Sequence, residues 1–285
     1  MAKPAGVQHA ITLAAPAKIN LYLEVLGRRS DGFHEIETVF QTLELADTIT
    51  VAQTGAGIVL ACSDPSLPCD AGNLAFRAAA AYLERRPVLG GFRVEVLKRI
   101  PHGAGLGGGS SDAAAVLRAC AALDPEPLSP TDLATLALGL GSDVPVFLVG
   151  GTAHGTGRGE VLTPMADAPA RTVTVLMPEA SLPTPSVFKA LTEVERGPRK
   201  PLGADRIAAA IADGVLHNRL TAPACRLCPA VADLLAWLAR LGVPHLMSGS
   251  GSACFALGPV PQPPPGIRPF ATRSRSRSQL NAMIG

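Results

Sequence analysis

The sequence predicts an α+β protein of two domains. Strand-like segments crowd its first third, and helical spacings then alternate with short strands without a regular βαβ wheel. A length of 285 residues exceeds the roughly 150 of an average domain. Hydrophobic residues make up 47% and charged residues 17%, which excludes a disordered chain and supplies apolar side chains for real cores.

Ile11–Leu13, Ile19–Val25, Glu35–Glu44 and Thr48–Val51 carry β-branched or alternating apolar residues, with turn chemistry at Arg28–Gly32. Asn73–Arg85 spaces Leu74, Ala78, Ala81 and Tyr82 along a helix, and Asn73 stands where a cap belongs. Phe92–Ile100 alternates as a strand. Pro101–Ser111 is glycine-rich and leads into an alanine-rich helix, Asp112–Leu123. Ser129–Leu140 is a further helix, with Ser129 and Asp132 at capping-box spacing and Gly139 and Gly141 at its end. Short strands follow at Gly151–Thr156 and Thr172–Met177.

Pro164 and Pro169 gather with small residues around 160–170, so the expected division is 1–163 and 164–285. Ala204–Gly214 and Ala230–Leu241 read as helices and Cys254–Leu257 as a strand. Pro259–Gly266 holds five prolines and cannot form a regular element. The tail Arg273–Ser278 alternates Arg and Ser, which alone suggests RNA or phosphate binding and otherwise reads as a solvated strand or frayed end.

With 25 Lys+Arg against 23 Asp+Glu, the net charge is +2. That is too little to hold nucleic acid or an anionic membrane by field alone, and 4% aromatics argue against base-stacking platforms. No stretch approaches the ~20 apolar residues of a membrane span. The opening Met1–Asn20 is a poor signal peptide, its apolar middle broken by Gln8, His9 and Pro16. Six cysteines are too sparse for a disulfide scaffold, and the Cys225/Cys228 pair has no second pair at zinc spacing. His102, His154, His217 and His245 show no ligand spacing either, so no protein-held metal is expected. The expectation is a cytoplasmic protein with reduced thiols and no membrane or nucleic-acid partner, a monomer or weak homodimer.

The most informative segment is the run Pro101, His102, Gly103, Ala104, Gly105, Leu106, Gly107, Gly108, Gly109, Ser110 and Ser111, between a strand and a helix. Glycines let backbone N–H groups converge, and the following helix adds its partial positive charge and orphan donors, which suits phosphate oxygens. It is not a Walker A loop, because no Lys-Ser/Thr follows the last glycine. Gly103-x-Gly105-x-x-Gly108 matches the dinucleotide fingerprint, but no second strand ending in an acidic residue follows the helix.

This run resembles the ATP loop of the galactokinase–homoserine kinase–mevalonate kinase–phosphomevalonate kinase (GHMP) family, Pro-x-x-x-Gly-Leu-(Gly)-Gly-Ser-Ser, with one extra glycine. Three more segments stand in the family's order: Pro16–Leu23 followed by Ser30–Glu35, then Gly141–Phe147, then Ser248–Cys254. The set covers about Pro16 to Leu257. It resembles the branch of that family that phosphorylates the 2-hydroxyl of 4-diphosphocytidyl-2-C-methyl-D-erythritol in the non-mevalonate route to isoprenoids. The resemblance implies an N-terminal domain like the second domain of ribosomal protein S5, a ferredoxin-like C-terminal domain and an active site in the cleft between them. It also implies ATP, with Mg2+ carried mainly on the nucleotide phosphates. Another small alcohol (homoserine, mevalonate or a sugar) is the alternative acceptor.

From spacing alone Lys18 reads as a solvated edge lysine and Asp143 as a helix cap. The resemblance instead implies that Asp143 takes the hydroxyl proton while Lys18 is its electrostatic partner. It places Phe33 and His34 at the cytidine, Phe33 standing where relatives commonly carry tyrosine, with Phe188 as the second aromatic wall; both phenylalanines also read as core. It makes Asn20 and Thr184 polar contacts to substrate, and associates Lys98 and Asn73 with the nucleotide pocket. Gly249 and Gly251 are expected to buttress the phosphate loop. The family's helix after Leu257 is replaced by Pro259–Gly266, so the second domain is expected to be shortened there.

Overall fold

A computed structural model describes residues 9–167, 170–193, 195–196 and 200–280. Its spine is one long antiparallel hairpin, β1 (Ala10–Arg28) and β2 (His34–Thr54). The sequence divides each of these strands in two, at Pro16 and near Asp47. The breaks are absorbed as register shifts between Pro16 and Lys18, Asn20 and Tyr22, and Val25 and Gly27, because a bulge lets a strand pass a residue that cannot join the ladder.

Next come β3 (Gly57–Cys62), α1 (Leu74–Arg85), β4 (Gly91–Leu97), α2 (Gly108–Leu123), α3 (Pro130–Leu140), α4 (Val146–Val149), β5 (Thr152–Thr156) and β6 (Val161–Pro164). Asn73 caps α1, its carboxamide oxygen accepting from Ala75 N at 2.9 Å. Ser129 caps α3, its hydroxyl accepting from Asp132 N at 3.1 Å. The C-terminal half adds β7 (Thr172–Pro178), α5 (Thr184–Lys189), α6 (Ala204–Ala212), β8 (His217–Asn218), α7 (Thr221–Leu227), α8 (Pro229–Arg240), β9 (His245–Met247), β10 (Cys254–Ala256) and β11 (Ile267–Arg273).

The first sheet runs β3-β4-β2-β1-β8, with β5 also on β2 and β6 on β5; the second is antiparallel, β11-β7-β10-β9. Three apolar cores follow. Tyr82, Phe92, Leu117 and Phe147 pack helices α1, α2 and α4 onto the first sheet. Leu176, Leu234, Leu238 and Met247 pack α8 onto the second. Ile19, Leu21, Val39, Val173, Val175 and Phe255 fill the space between the sheets. Because β1 and β2 are covered on both faces, they read as near-continuous apolar runs rather than clean alternation.

Two readings need correction. Helix α2 starts at Gly108, not Asp112, so the last two glycines and both serines lie in its first turn. The Arg/Ser tail is neither frayed nor a free cationic arm. It follows β11, which the sequence reading missed, and Ser274 bridges to Leu43. Arg275 N donates to Thr42 O at 2.8 Å, and the Arg277 guanidinium donates to Thr152 O at 2.8 Å and Val149 O at 3.2 Å. Carbonyls left open at the end of α4 and in β5 need donors, and arginine supplies several at once. Residues 257–266 link β10 to β11 without a helix. Among the described residues, no helix is long and apolar enough to cross a membrane.

Candidate active site

The glycine loop, β1, the segment before α4, and α5 converge on a cavity of about 820 Å³. The loop is fixed from both sides. Lys18 N donates to Leu106 O at 2.9 Å, Ala253 N to Ala104 O at 3.2 Å, and the Ser248 hydroxyl to Gly105 O at 3.1 Å. Gly105 and Gly107 have φ of 76° and 73°. A Cβ on Gly105 would lie 2.5 Å from Ser248 O, and one on Gly107 would lie 2.7 Å from Phe147 Cζ. Only glycine fits at these two positions. The Ser248–Ala253 turn thus backs the loop, as expected of Gly249 and Gly251, and Asn218 ties it down by donating to Met247 O and Gly249 O, both at 2.8 Å.

Beyond Gly107 the chain enters α2, whose first-turn N–H groups point back at the loop. The Ser111 hydroxyl is buried and has no hydrogen-bond partner, nor does Asp112 Oδ1. An orphan hydroxyl at a helix N-terminus beside a glycine cradle fits a phosphate carrying a divalent cation.

Lys18 is 4% exposed. Its ammonium donates to Asn20 Oδ1 at 2.8 Å and lies 3.8 Å from Asp143 Oδ2. Asn20 Nδ2 donates to Thr38 Oγ1 at 2.8 Å, and that hydroxyl donates to Tyr22 O at 2.6 Å, so the carboxamide is locked with its oxygen toward Lys18. Burial pushes the Lys18 ammonium below the ordinary lysine range, and the Asp143 carboxylate pulls it partly back. Asp143 caps no helix: α4 begins behind Pro145 with no side-chain cap. Its half-exposed carboxylate faces the cavity. This is a cation and an anion side by side at the mouth of a phosphate cradle, an arrangement able to move a proton off an alcohol while offsetting phosphoryl charge.

Far along the hairpin from Lys18, where Arg28 pairs with His34, the cavity is lined by Phe33, His34 and Phe188, and Thr184 also joins its lining. Phe33 is 54% exposed and therefore not a core residue, whereas Phe188 also packs against the second core. His34 stacks on Phe188 with centroids 4.9 Å apart and planes at 27°. Burial, then Arg196 and Arg28, hold His34 below the usual histidine range, favouring the neutral ring. The Thr184 hydroxyl hydrogen-bonds that of Ser250 at 2.7 Å.

Lys98 and Asn73 do not line this cavity. The Lys98 ammonium donates to Asp112 Oδ2 at 2.7 Å and to Asp47, beneath the loop. Burial works against its charge, yet Asp112 and Asp47 outweigh that and raise it. Burial, only partly opposed by Lys98, pushes Asp112 up to about 7. Pro101 and His102 enter the loop, and Gly103, Ala104, Leu106, Gly108, Gly109 and Ser110 complete it. The sequence reading missed Arg28, Arg158, Lys189 and Arg196, which line the aromatic end. The one available signal was Gly157-Arg158-Gly159, a cation presented by a glycine turn.

Profiles of two families match the chain: the GHMP kinases N terminal domain over residues 73–151 and the GHMP kinases C terminal domain over 204–268. The chain is 45% identical over 251 residues to a 4-diphosphocytidyl-2-C-methyl-D-erythritol kinase of Thermus thermophilus, covering 87% of each. It is 39% identical over 252 residues to the enzyme of that name from Shouchella clausii, covering 86% of this chain and 85% of that one. A crystal structure of 4-(cytidine 5'-diphospho)-2C-methyl-D-erythritol kinase superposes with a TM-score of 0.79 at 39% identity, covering 93% of this chain and 99% of that one.

Proposed function

The chain belongs to the GHMP kinases and is an ATP-dependent kinase, and we propose that it transfers the γ-phosphate of ATP to the 2-hydroxyl of 4-diphosphocytidyl-2-C-methyl-D-erythritol, a step of the non-mevalonate isoprenoid pathway. The observation that carries this reading is one cavity with the glycine cradle and the Lys18–Asp143 pair at one end and an aromatic, cationic wall at the other. A nucleoside diphosphate linked to a polyol needs both ends at once.

In this reading Asp143 accepts the proton of the attacking hydroxyl, and Lys18 offsets the charge gathering on the transferred oxygens. The proton moves to a carboxylate oxygen as the alcohol oxygen bonds phosphorus and the bond from phosphorus to the leaving ADP oxygen breaks. Asn20 holds the ammonium in place. Loop N–H groups and the first turn of α2 receive the triphosphate. Ser111 would hold the Mg2+ that rides on the nucleotide, which neutralises phosphate charge when bound. Phe33, His34 and Phe188 would receive the cytosine, the neutral imidazole offering one donor and one acceptor to its polar edge. Thr184 would contact the polyol or diphosphate. The proposed division at 1–163 and 164–285 leaves the second sheet wholly in the C-terminal part, which also lends β8 to the first sheet.

The test is incubation with ATP, Mg2+ and the cytidylyl substrate, reading ADP and the phosphorylated product; homoserine, mevalonate and galactose serve as alternative acceptors. Turnover of the cytidylyl substrate alone is the expected result. Folded protein that releases ADP only with another alcohol would overturn the substrate and keep the kinase.

A further inference from the structure

Each of the two phenylalanines offered to a base carries a planar group of the protein on one of its faces. His34 lies on Phe188. On Phe33 lies the Arg158 guanidinium, its Cζ 4.8 Å from the ring centroid. Arg158 belongs to the turn between β5 and β6. Its backbone is held there, since Glu160 Oε2 accepts its N–H at 2.5 Å. The guanidinium is held far less firmly: its Nε is 3.6 Å from Glu160 Oε1, beyond hydrogen-bond length, and the side chain keeps 28% of its surface exposed. A firmly seated backbone thus carries a head group that rests on an aromatic face and in a loose ion pair with Glu160.

Glu160 and Asp31 are acidic neighbours of Arg158, but neither lines the cavity. Arg28, Arg158, Lys189 and Arg196 line this end of the cavity, while the single carboxylate among the lining residues, Asp143, stands at the other end beside Lys18. Cation–π contact at a partly exposed site is weak, whereas a fork-shaped guanidinium binds phosphate oxygens through two charge-assisted hydrogen bonds. A base that takes the face of Phe33 on which Arg158 rests must displace the guanidinium. A ligand that also brings a diphosphate offers it a better partner than the one it leaves.

Building on the proposed cytidylyl substrate, we infer that Arg158 is a specificity-determining residue that rests on one face of Phe33 and moves onto the diphosphate when the pyrimidine displaces it. The exchange couples recognition of the two parts. A free nucleoside uncovers Phe33 and leaves Arg158 without compensation; a nucleoside diphosphate does both. Selection of the diphosphate-linked substrate over cytidine is then a property of one side chain rather than of net cavity charge.

Calorimetric titration with cytidine and with CDP separates this from a structural role, using the wild-type chain, Arg158→Ala and Arg158→Lys. The wild type is expected to bind CDP at least about 10-fold more tightly than cytidine, the increment of one charge-assisted contact. In Arg158→Ala, CDP weakens about 10-fold while cytidine binds as well or up to a few-fold better, because the Phe33 face is already free. Arg158→Lys retains part of the diphosphate increment. A non-hydrolysable ATP analogue binds all three alike. Equal weakening of cytidine and CDP in Arg158→Ala, or no change in CDP, overturns the inference while leaving the cytidylyl substrate standing. A wild type that binds neither nucleotide and does not turn over the cytidylyl substrate overturns both.

Discussion

Lys18 and Asp143 meet across 125 residues of sequence, Nζ to Oδ2 at 3.8 Å, one buried in the floor of the cleft and the other open to it. The burial differs because the two groups have different neighbours. Lys18 lies on a strand covered on both faces and is held by Asn20, whereas Asp143 lies in the turn before α4. If Asp143 takes the proton, Asp143→Asn lowers kcat by about 10²–10⁴-fold, the usual contribution of a general base. Affinity for a non-hydrolysable ATP analogue stays nearly unchanged, since the glycine loop is untouched. Steady-state kinetics and calorimetry check both halves, and wild-type turnover in this variant removes the base from Asp143.

Burial lowers the Lys18 pKa, which sets a pH signature. A lysine is cationic below its pKa, so activity that needs the cation falls as pH rises through the lowered value. The alkaline limb of kcat against pH is therefore expected below the ordinary 10.5. Lys18→Arg, charged throughout the range, should lose that limb even where its maximal rate is reduced. An alkaline limb that persists unchanged in Lys18→Arg assigns it to another group.

The partnerless hydroxyl of Ser111 permits a test that separates function from stability. A buried hydroxyl with no hydrogen bond adds nothing to folding, so Ser111→Ala should melt at or slightly above the wild-type temperature. The same variant should need more Mg2+ for half-maximal rate, about 10-fold or beyond. Gly107→Val fails differently: its Cβ meets Phe147 and its φ is strained, so nucleotide binding is lost outright. Equal Mg2+ dependence in wild type and Ser111→Ala would remove the serine from the metal site.

Glu24 gives a stability prediction with a definite pH window. Burial works to raise its carboxyl, but hydrogen bonds from Arg219, His217 and the Val25 N–H prevail and bring it down from 4.5 to about 2. A carboxylate with a depressed folded pKa adds stability that is fully present above about 4.5 and is lost as pH falls toward 2. That difference corresponds to at most about 3 kcal/mol. Arg219→Met should therefore lower the melting temperature at pH 7 and flatten its decline between pH 5 and 3. A parallel downward shift at every pH would show that the ion pair contributes nothing.

The parts legible in the sequence were those with local causes. Asn73 and Ser129 announce their helices because a cap acts within three residues, and the glycine loop announces itself because phosphate binding by backbone needs bare glycine. The hairpin was read as fragments because Pro16 and Asp47 look like breaks until a partner strand exists to absorb them. β11 was missed because Ile267–Arg273 carries a proline and two arginines, and only its pairing with β7 makes it a strand. Lys18 could not be told from a surface lysine, since its burial depends on the glycine loop at Gly107 and the distant turn at Gly249 closing against it. Arg158, Arg196 and Arg28 gather at one end only through folding, so no spacing marks them as a group.

The return of Ser274–Leu280 to the first sheet has a consequence for how the chain is made. Gln41, Thr42 and Leu43 find partners in Ser274 and Arg275, and the carbonyls of Val149 and Thr152 find theirs in Arg277. During translation the ribosome delivers these strands and helix ends more than 100 residues before the segment that finishes them. The early half waits with open seams until the late segment emerges and closes them.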